Sequence, residues 1–257
     1  MPNIIFIVYD QAEVLDFSGP FDVFSMAMIA TEKSPYDMRI VSPDGATITA
    51  IHGFKVVADS ALNQLTPGPS DIVFFPGGTI DVIEAINSGT GGSRLPPGLT
   101  SRSHLTDAQR SKLEGDCKAI VDWIEGPGQS AGILATICIG AFFGAKAGIF
   151  AGQKATTHYN FLSTLKEWIG DETDIIEGAR YVINSAEEGQ PESSPLIMSS
   201  AGVSAGMDLA FEILGLVMGP DTQALTAELM EYNRTVNYAT NLPIIPPALE
   251  YSAQSTK

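Results

Sequence analysis

The residues best suited to covalent chemistry lie in two short stretches. In Ala135-Thr136-Ile137-Cys138-Ile139-Gly140-Ala141 a cysteine ends an apolar run, and a glycine stands two positions on. In Glu13-Val14-Leu15-Asp16-Phe17-Ser18-Gly19-Pro20 a carboxyl sits between two large apolar side chains. A thiolate is a nucleophile. A carboxyl desolvated by Leu15 and Phe17 should have a raised pKa, suited to proton transfer near neutrality. The pairing points to nucleophilic thiol chemistry assisted by a general acid–base. Each residue also has a plainer reading: Cys138 as a small packing residue, and Asp16 as a cap for the helix after Pro20.

Three further features bear on such a site. Gly77 and Gly78, in Pro76-Gly77-Gly78, offer backbone N–H groups at a helix start. With the Ile139 N–H they are placed to stabilise negative charge on a bound atom, unless the turn is only a tight turn. His158 comes twenty residues after Cys138, at a predicted strand end. It reads as a base or as a turn residue. Asp208, near a helix start, reads as a simple complement to the helix dipole.

Positioning these groups requires a particular chain path. Gly132 to Ile137 reads as a buried parallel strand. Gly140 to Phe150 reads as a helix, with Gly140, Gly144 and Gly148 on one face. Cys138 is then the apex of a sharp strand-to-helix bend beside a helix N-terminus. The dipole there predicts a depressed thiol pKa and partial ionisation at neutral pH. Residues 131 to 152 carry one charge, Lys146, and are long enough to span a membrane, but their glycines and change of period favour a soluble reading.

Other strands are predicted at 3–9, 38–42, 71–75, 154–157, 181–184 and 196–199, with a hairpin or two short strands over 47–57. Helices are predicted at 20–30, 80–87, 106–125, 159–169, 207–218 and 220–232. Pro20 suits the start of the first, and Cys117 falls on the apolar stripe of the 106–125 helix. Alternation of the two types implies one doubly wound, mostly parallel α/β sheet with helices on both faces. A single domain is expected over 1–232, interrupted by an exposed loop at 88–107, with an extended tail at 233–257.

Net charge is −16 with a pI near 4.4, which opposes nucleic acid and anionic membrane as partners. Two cysteines make no disulfide framework, and the N-terminus lacks a basic signal-type region, so an intracellular, cytoplasmic protein is expected. Three scattered histidines give no metal-ligand spacing, and no nucleotide fingerprint is present; neither metal nor cofactor is expected.

The chain resembles the DJ-1/PfpI superfamily, and within it the isocyanide (isonitrile) hydratase branch. The likeness covers roughly residues 3 to 232. It rests on Val14-Leu15-Asp16-Phe17-Ser18-Gly19-Pro20, on Asp71-Ile72-Val73-Phe74-Phe75-Pro76-Gly77-Gly78, on Ile137-Cys138-Ile139-Gly140-Ala141, on the run from Ala147 to Tyr159, and on Ser200-Ala201-Gly202-Val203-Ser204-Ala205-Gly206-Met207-Asp208. The resemblance implies a flavodoxin-like fold, a homodimer and no cofactor. It places the nucleophile on Cys138, the acidic partner on Asp16 and oxyanion-type donors on Gly78 and Ile139. Asp208 matches a conformationally important acid of that branch, which makes it a weaker site candidate. Ile139 replaces the threonine common there, so the N–H persists and a hydroxyl is lost.

The activity implied is hydration of a small organic isocyanide to an N-substituted formamide. A glutathione-independent glyoxalase-type reaction and a redox sensor based on Cys138 are the alternatives.

Overall fold

The computed structural model describes residues 1–88, 105–184 and 194–233. Strand β1 (Asn3–Ile7) runs into helix α1 (Val14–Thr31), and β2 (Asp37–Ser42) returns parallel to β1. The hairpin β3 (Ile48–Thr49) and β4 (Lys55–Val56) follows, then β5 (Ser60–Ala61), β6 (Ile72–Phe75), α2 (Ile80–Asn87) and α3 (Asp107–Glu125). Strand β7 (Ile133–Ile137) ends at Cys138 and leads to α4 (Ala141–Lys146). The chain continues through β8 (Lys154–Ala155), α5 (Leu162–Ile169), β9 (Asp174–Ile175), β10 (Tyr181–Ile183), β11 (Leu196–Ser200), α6 (Ala205–Met218) and α7 (Pro220–Leu229).

The main sheet has seven strands in the order β10-β11-β7-β6-β1-β2-β5. Every neighbouring pair is parallel except β10–β11. Helices α1, α6 and α7 pack together, and α2, α3 and α4 form a second group. This is the predicted doubly wound architecture. It explains why β1, β6 and β7 are nearly unbroken apolar runs: Ile4 to Ile7, Ile72 to Phe75 and Leu134 to Ile137 are buried on both faces.

Several elements differ from expectation. Helix α1 begins at Val14, and Pro20 lies inside it rather than at its start. Proline removes one ladder bond, but its φ is compatible with a helix, and packing holds the segment. Gly19 and Pro20 are buried, and a Cβ on Gly19 would lie 2.8 Å from Met207 Cγ on α6. The predicted helix over 140–150 is a 3₁₀ turn, Cys138–Gly140, followed by a short α4 that ends at Lys146. Gly148 then takes φ +72°, which a continuing helix cannot accommodate. Strands β5 and β9 were not predicted; β5 pairs with β2 at the edge of the main sheet, and β9 pairs with β8 in a separate two-stranded sheet.

The apolar stretch 131–152 is thus a core strand and a buried helix. Among the described residues no helix is long and apolar enough to cross a membrane. Most of the expected 88–107 loop, and the expected tail after residue 233, lie outside the described residues.

Candidate active site

The loop after β1, the turn after β6, the bend after β7 and the turn after β11 meet at the C-terminal edge of the parallel strands, where open α/β sheets bind ligands. Cys138 takes φ +56° between β7 and its 3₁₀ turn. A non-glycine residue in that region is strained and must be held by its surroundings. Two contacts hold it. The Thr157 hydroxyl donates to the Cys138 carbonyl at 2.7 Å. On the far side of the bend, a Cβ on Gly140 would stand 2.2 Å from the Phe75 carbonyl oxygen, so only glycine lets β6 and the bend approach so closely.

Asp16 is fully buried in the first turn of α1. Its Oδ2 accepts from the Gly77 N–H at 2.8 Å. The Asp16 carboxyl and the Cys138 thiol lie close enough for each to feel the other's charge. Its Oδ1, also buried, has no further partner among the described residues. The capping role is therefore excluded: the helix starts two residues earlier, and the side chain serves the turn after β6. Burial, followed by the neighbouring Glu13 charge, pushes Asp16 up to about 8, against the pull of its Gly77 hydrogen bond. The sequence-based expectation of a raised carboxyl pKa matches this direction.

The thiol departs from expectation. Cys138 is only 5 % exposed, and burial, then the Asp16 carboxylate, pushes its pKa up rather than down. The Ile139 N–H, bonded to the sulfur, pulls the other way. The helix beyond the bend is too short, and its dipole too small, to offset desolvation and an adjacent acid. Near neutrality the pair therefore holds both protons. Its first proton leaves as a property of the pair rather than of either residue.

The Pro76-Gly77-Gly78 turn is strapped to the loop after β1. Glu13 N–H donates to Gly77 O at 2.9 Å, and Thr79 N–H to Gln11 O at 3.2 Å. The buried Tyr9 hydroxyl donates to Pro76 O and Gly77 O at 2.8 and 2.9 Å. Among the described residues the Gly78 N–H has no acceptor. A Cβ on Gly77 would fall 2.8 Å from Ile139 N and 2.9 Å from Asp16 Oδ2. The missing side chain thus leaves the carboxyl and the Ile139 amide side by side. Thr157 and Tyr9 were not singled out from sequence; a threonine after a short strand and a tyrosine ending an apolar run carry no local signal of their distant partners.

His158 caps a short 3₁₀ turn, its Nδ1 accepting from Asn160 N–H at 3.3 Å. Burial lowers its pKa, so the ring is neutral near pH 7. A Cβ on Gly202 would lie 2.5 Å from Cys138 Sγ and 2.9 Å from His158 Cδ2. His158 therefore faces the same small space as the thiol. Asp208 does not join it. It is buried in an ion pair with Arg180 Nε and accepts from the Tyr232 hydroxyl at 3.0 Å; burial, then the Asp208 charge, pushes Tyr232 up to about 12. Cys117 is a fully buried core residue. Among the described residues no three His, Cys, Asp or Glu side chains converge as metal ligands.

Comparison with known proteins agrees with this architecture. The DJ-1/PfpI family model matches residues 2–84. A protein described as "Uncharacterized protein in cpoL 5'region" from Streptomyces lividans is 28% identical over 163 residues, covering 63% of this chain and 92% of that one. A ThiJ/PfpI family protein from Pseudomonas syringae superposes with TM-score 0.63 at 18% identity, covering 94% of this chain and 79% of the other. DJ-1beta of Drosophila melanogaster superposes with TM-score 0.60 at 17% identity, covering 91% and 100%. The fold is thus the flavodoxin-like one of the DJ-1/PfpI proteins.

Proposed function

We propose that the chain is a DJ-1/PfpI-type thiol enzyme that hydrates a small organic isocyanide to an N-substituted formamide. The observation that carries this reading is the buried Asp16 carboxyl, held by the Gly77 N–H at 2.8 Å beside the amide that follows Cys138, with one oxygen left unpartnered and its proton affinity raised by burial. Such a carboxyl holds a proton at neutral pH and sits where a carbon bound to sulfur would need one.

The reaction starts from the minor form in which sulfur is ionised and Asp16 protonated. Sulfur bonds to the terminal isocyanide carbon, and that carbon takes the Asp16 proton, giving a thioimidate and a carboxylate. The carboxylate accepts a proton from water as the hydroxyl oxygen bonds to the same carbon, and passes that proton to nitrogen. It then takes the hydroxyl proton as the carbonyl forms and the carbon–sulfur bond breaks. Formamide leaves, and the thiolate and carboxylic acid are restored. One carboxyl serves every proton transfer, and the Ile139 and Gly78 N–H groups face charge that develops at the reacting centre. No cofactor takes part. A homodimer in the cytoplasm is the setting we propose.

Formation of formamide by wild type and by Cys138→Ala tests the reading: activity lost with the thiol supports it, and activity that survives overturns it. One observation favours a second reading. The neutral His158 beside the sulfur suits a glyoxalase-type conversion of a small dicarbonyl, which would instead release lactate from methylglyoxal without glutathione.

A further inference from the structure

We propose that Glu13 sets substrate charge: its carboxylate, at the rim of the Cys138 site, admits neutral and cationic electrophiles and holds anionic ones off. The inference rests on Cys138 being the reacting thiol and adds a specificity the proposed chemistry leaves open.

Glu13 occupies the N-cap position of α1, yet its side chain makes no capping hydrogen bond. Its backbone is fixed instead, through the N–H bond to Gly77 O, and Gly77 is the residue whose own N–H holds Asp16. Glu13 is partly exposed, and among the described residues its carboxylate forms no ion pair. It precedes Asp16 by three positions, at the residue that opens the helix carrying that carboxyl. Its charge reaches both reacting groups, raising the proton affinity of Asp16 and of Cys138 alike.

No described cation offsets it. Lys112, near this end of the sheet, is ringed by Asp116, Asp10 and Asp44 at 2.6, 3.4 and 3.8 Å. Arg180 is engaged by Asp208 and donates to Ser204 Oγ at 3.2 Å. His158 is neutral. The thiol is 5 % exposed, so any reactant must bring its own charge close to the rim to reach sulfur. Where water supplies most of the screening, two unit charges several ångströms apart shift a rate by roughly three- to fivefold. The chain's net charge of −16 adds to the field in the same sense.

The test compares alkylation of Cys138 in the full chain by neutral iodoacetamide, anionic iodoacetate and cationic 2-bromoethylammonium, each rate divided by that of a free thiol model. Mass spectrometry assigns the modified residue. Ratios between probes cancel the thiolate fraction, which a Glu13 substitution also changes. Iodoacetamide is expected to lead iodoacetate by roughly three- to fivefold beyond the free thiol at low ionic strength, with 2-bromoethylammonium favoured further. Glu13→Gln should remove most of that excess. Glu125→Gln, which removes a charge at the opposite end of the sheet, should retain it. Ratios in wild type equal to those of the free thiol would overturn the proposal, as would an unchanged Glu13→Gln or an equal loss in Glu125→Gln. These rates do not depend on formamide synthesis, so a failed hydratase assay with intact ratios would reject the reaction and leave the charge filter standing.

Discussion

The Gly77 N–H fixes one oxygen of Asp16 at 2.8 Å and leaves the other, Oδ1, buried without a further partner. A carboxylate held that way loses hydration and gains only one full hydrogen bond in return, so the proton-bearing form is favoured. Reactivity should follow. Because Asp16 is raised to about 8 and Cys138 is raised as well, alkylation of Cys138 by iodoacetamide is expected to be slow at pH 6 and to climb through pH 8 and beyond. A rate already at its plateau by pH 6, as a depressed thiol pKa would give, contradicts this account.

Replacing the acid separates its two effects. Asp16→Asn removes the negative neighbour that raises the thiol, so the alkylation profile should move to lower pH. The same variant lacks the proton donor, so turnover in the formamide assay should drop by about 10²-fold or more. Faster alkylation with lost turnover is the expected combination, and a parallel loss of both would assign Asp16 to folding alone.

Stability should carry the same signature. The folded-state pKa of Asp16 is about 8 against 3.8 for the free carboxyl. Folded protein therefore keeps a proton that unfolded protein has shed between those values, and stability from this group is complete below about pH 4 and is lost as pH rises through 8. Urea unfolding of wild type and Asp16→Asn should show the difference moving in favour of the variant by about 1.4 kcal/mol per pH unit across that window. A pH-independent difference would mean the carboxyl ionises normally in the fold.

Much of this arrangement could be read from sequence, for identifiable reasons. Strands β1, β6 and β7 are apolar because both faces are covered, and α3 falls within the predicted 106–125 helix, its N-cap Thr106 hydroxyl accepting from Gln109 N–H. The meeting of Asp16 with Cys138, 122 positions apart, was legible because both follow strands of one parallel sheet whose C-terminal ends converge, and the family resemblance gave them their roles. The start of α1 was not legible, because local rules put Pro20 at a helix start, while close packing on Met207 decided otherwise. The sign of the thiol shift was missed because dipole arguments are local, whereas desolvation and the Asp16 charge come from the assembled fold. The partners of Asp208 were hidden for the same reason: Arg180 and Tyr232 come from separate segments.

Asp208 gives a contrasting prediction. As the buried partner of Arg180, it should matter for the fold more than for the chemistry. Asp208→Ala leaves a guanidinium beside an empty acceptor site and should lower stability by roughly 3–5 kcal/mol. The pH profile of Cys138 alkylation, measured well below the melting temperature, should stay where it is in wild type. A shifted profile would bring Asp208 into the proton chemistry after all.

The last prediction concerns the wall behind the sulfur. Gly202 leaves no room for a side chain: an added Cβ would lie 2.5 Å from Cys138 Sγ and 2.9 Å from His158 Cδ2. Neither neighbour retreats easily, since Cys138 is clamped at φ +56° by Thr157 and Gly140, and the His158 ring lies against Tyr159 and Phe161. Gly202→Ala should therefore force the sulfur from its position between the Ile139 amide and Asp16. Overpacking of this kind destabilises by about 1–3 kcal/mol, which a chain of this size can withstand. Alkylation and turnover should fall by at least about tenfold, because sub-ångström placement of a nucleophile controls its rate far more strongly than it controls folding. Thr157→Val, which removes the hydroxyl bonded to the Cys138 carbonyl, should show a milder form of the same defect, with about 1–2 kcal/mol of lost stability. If Gly202→Ala folds with wild-type alkylation and turnover, the sulfur has another position from which it reacts, and the packed wall at Gly202 does not determine it.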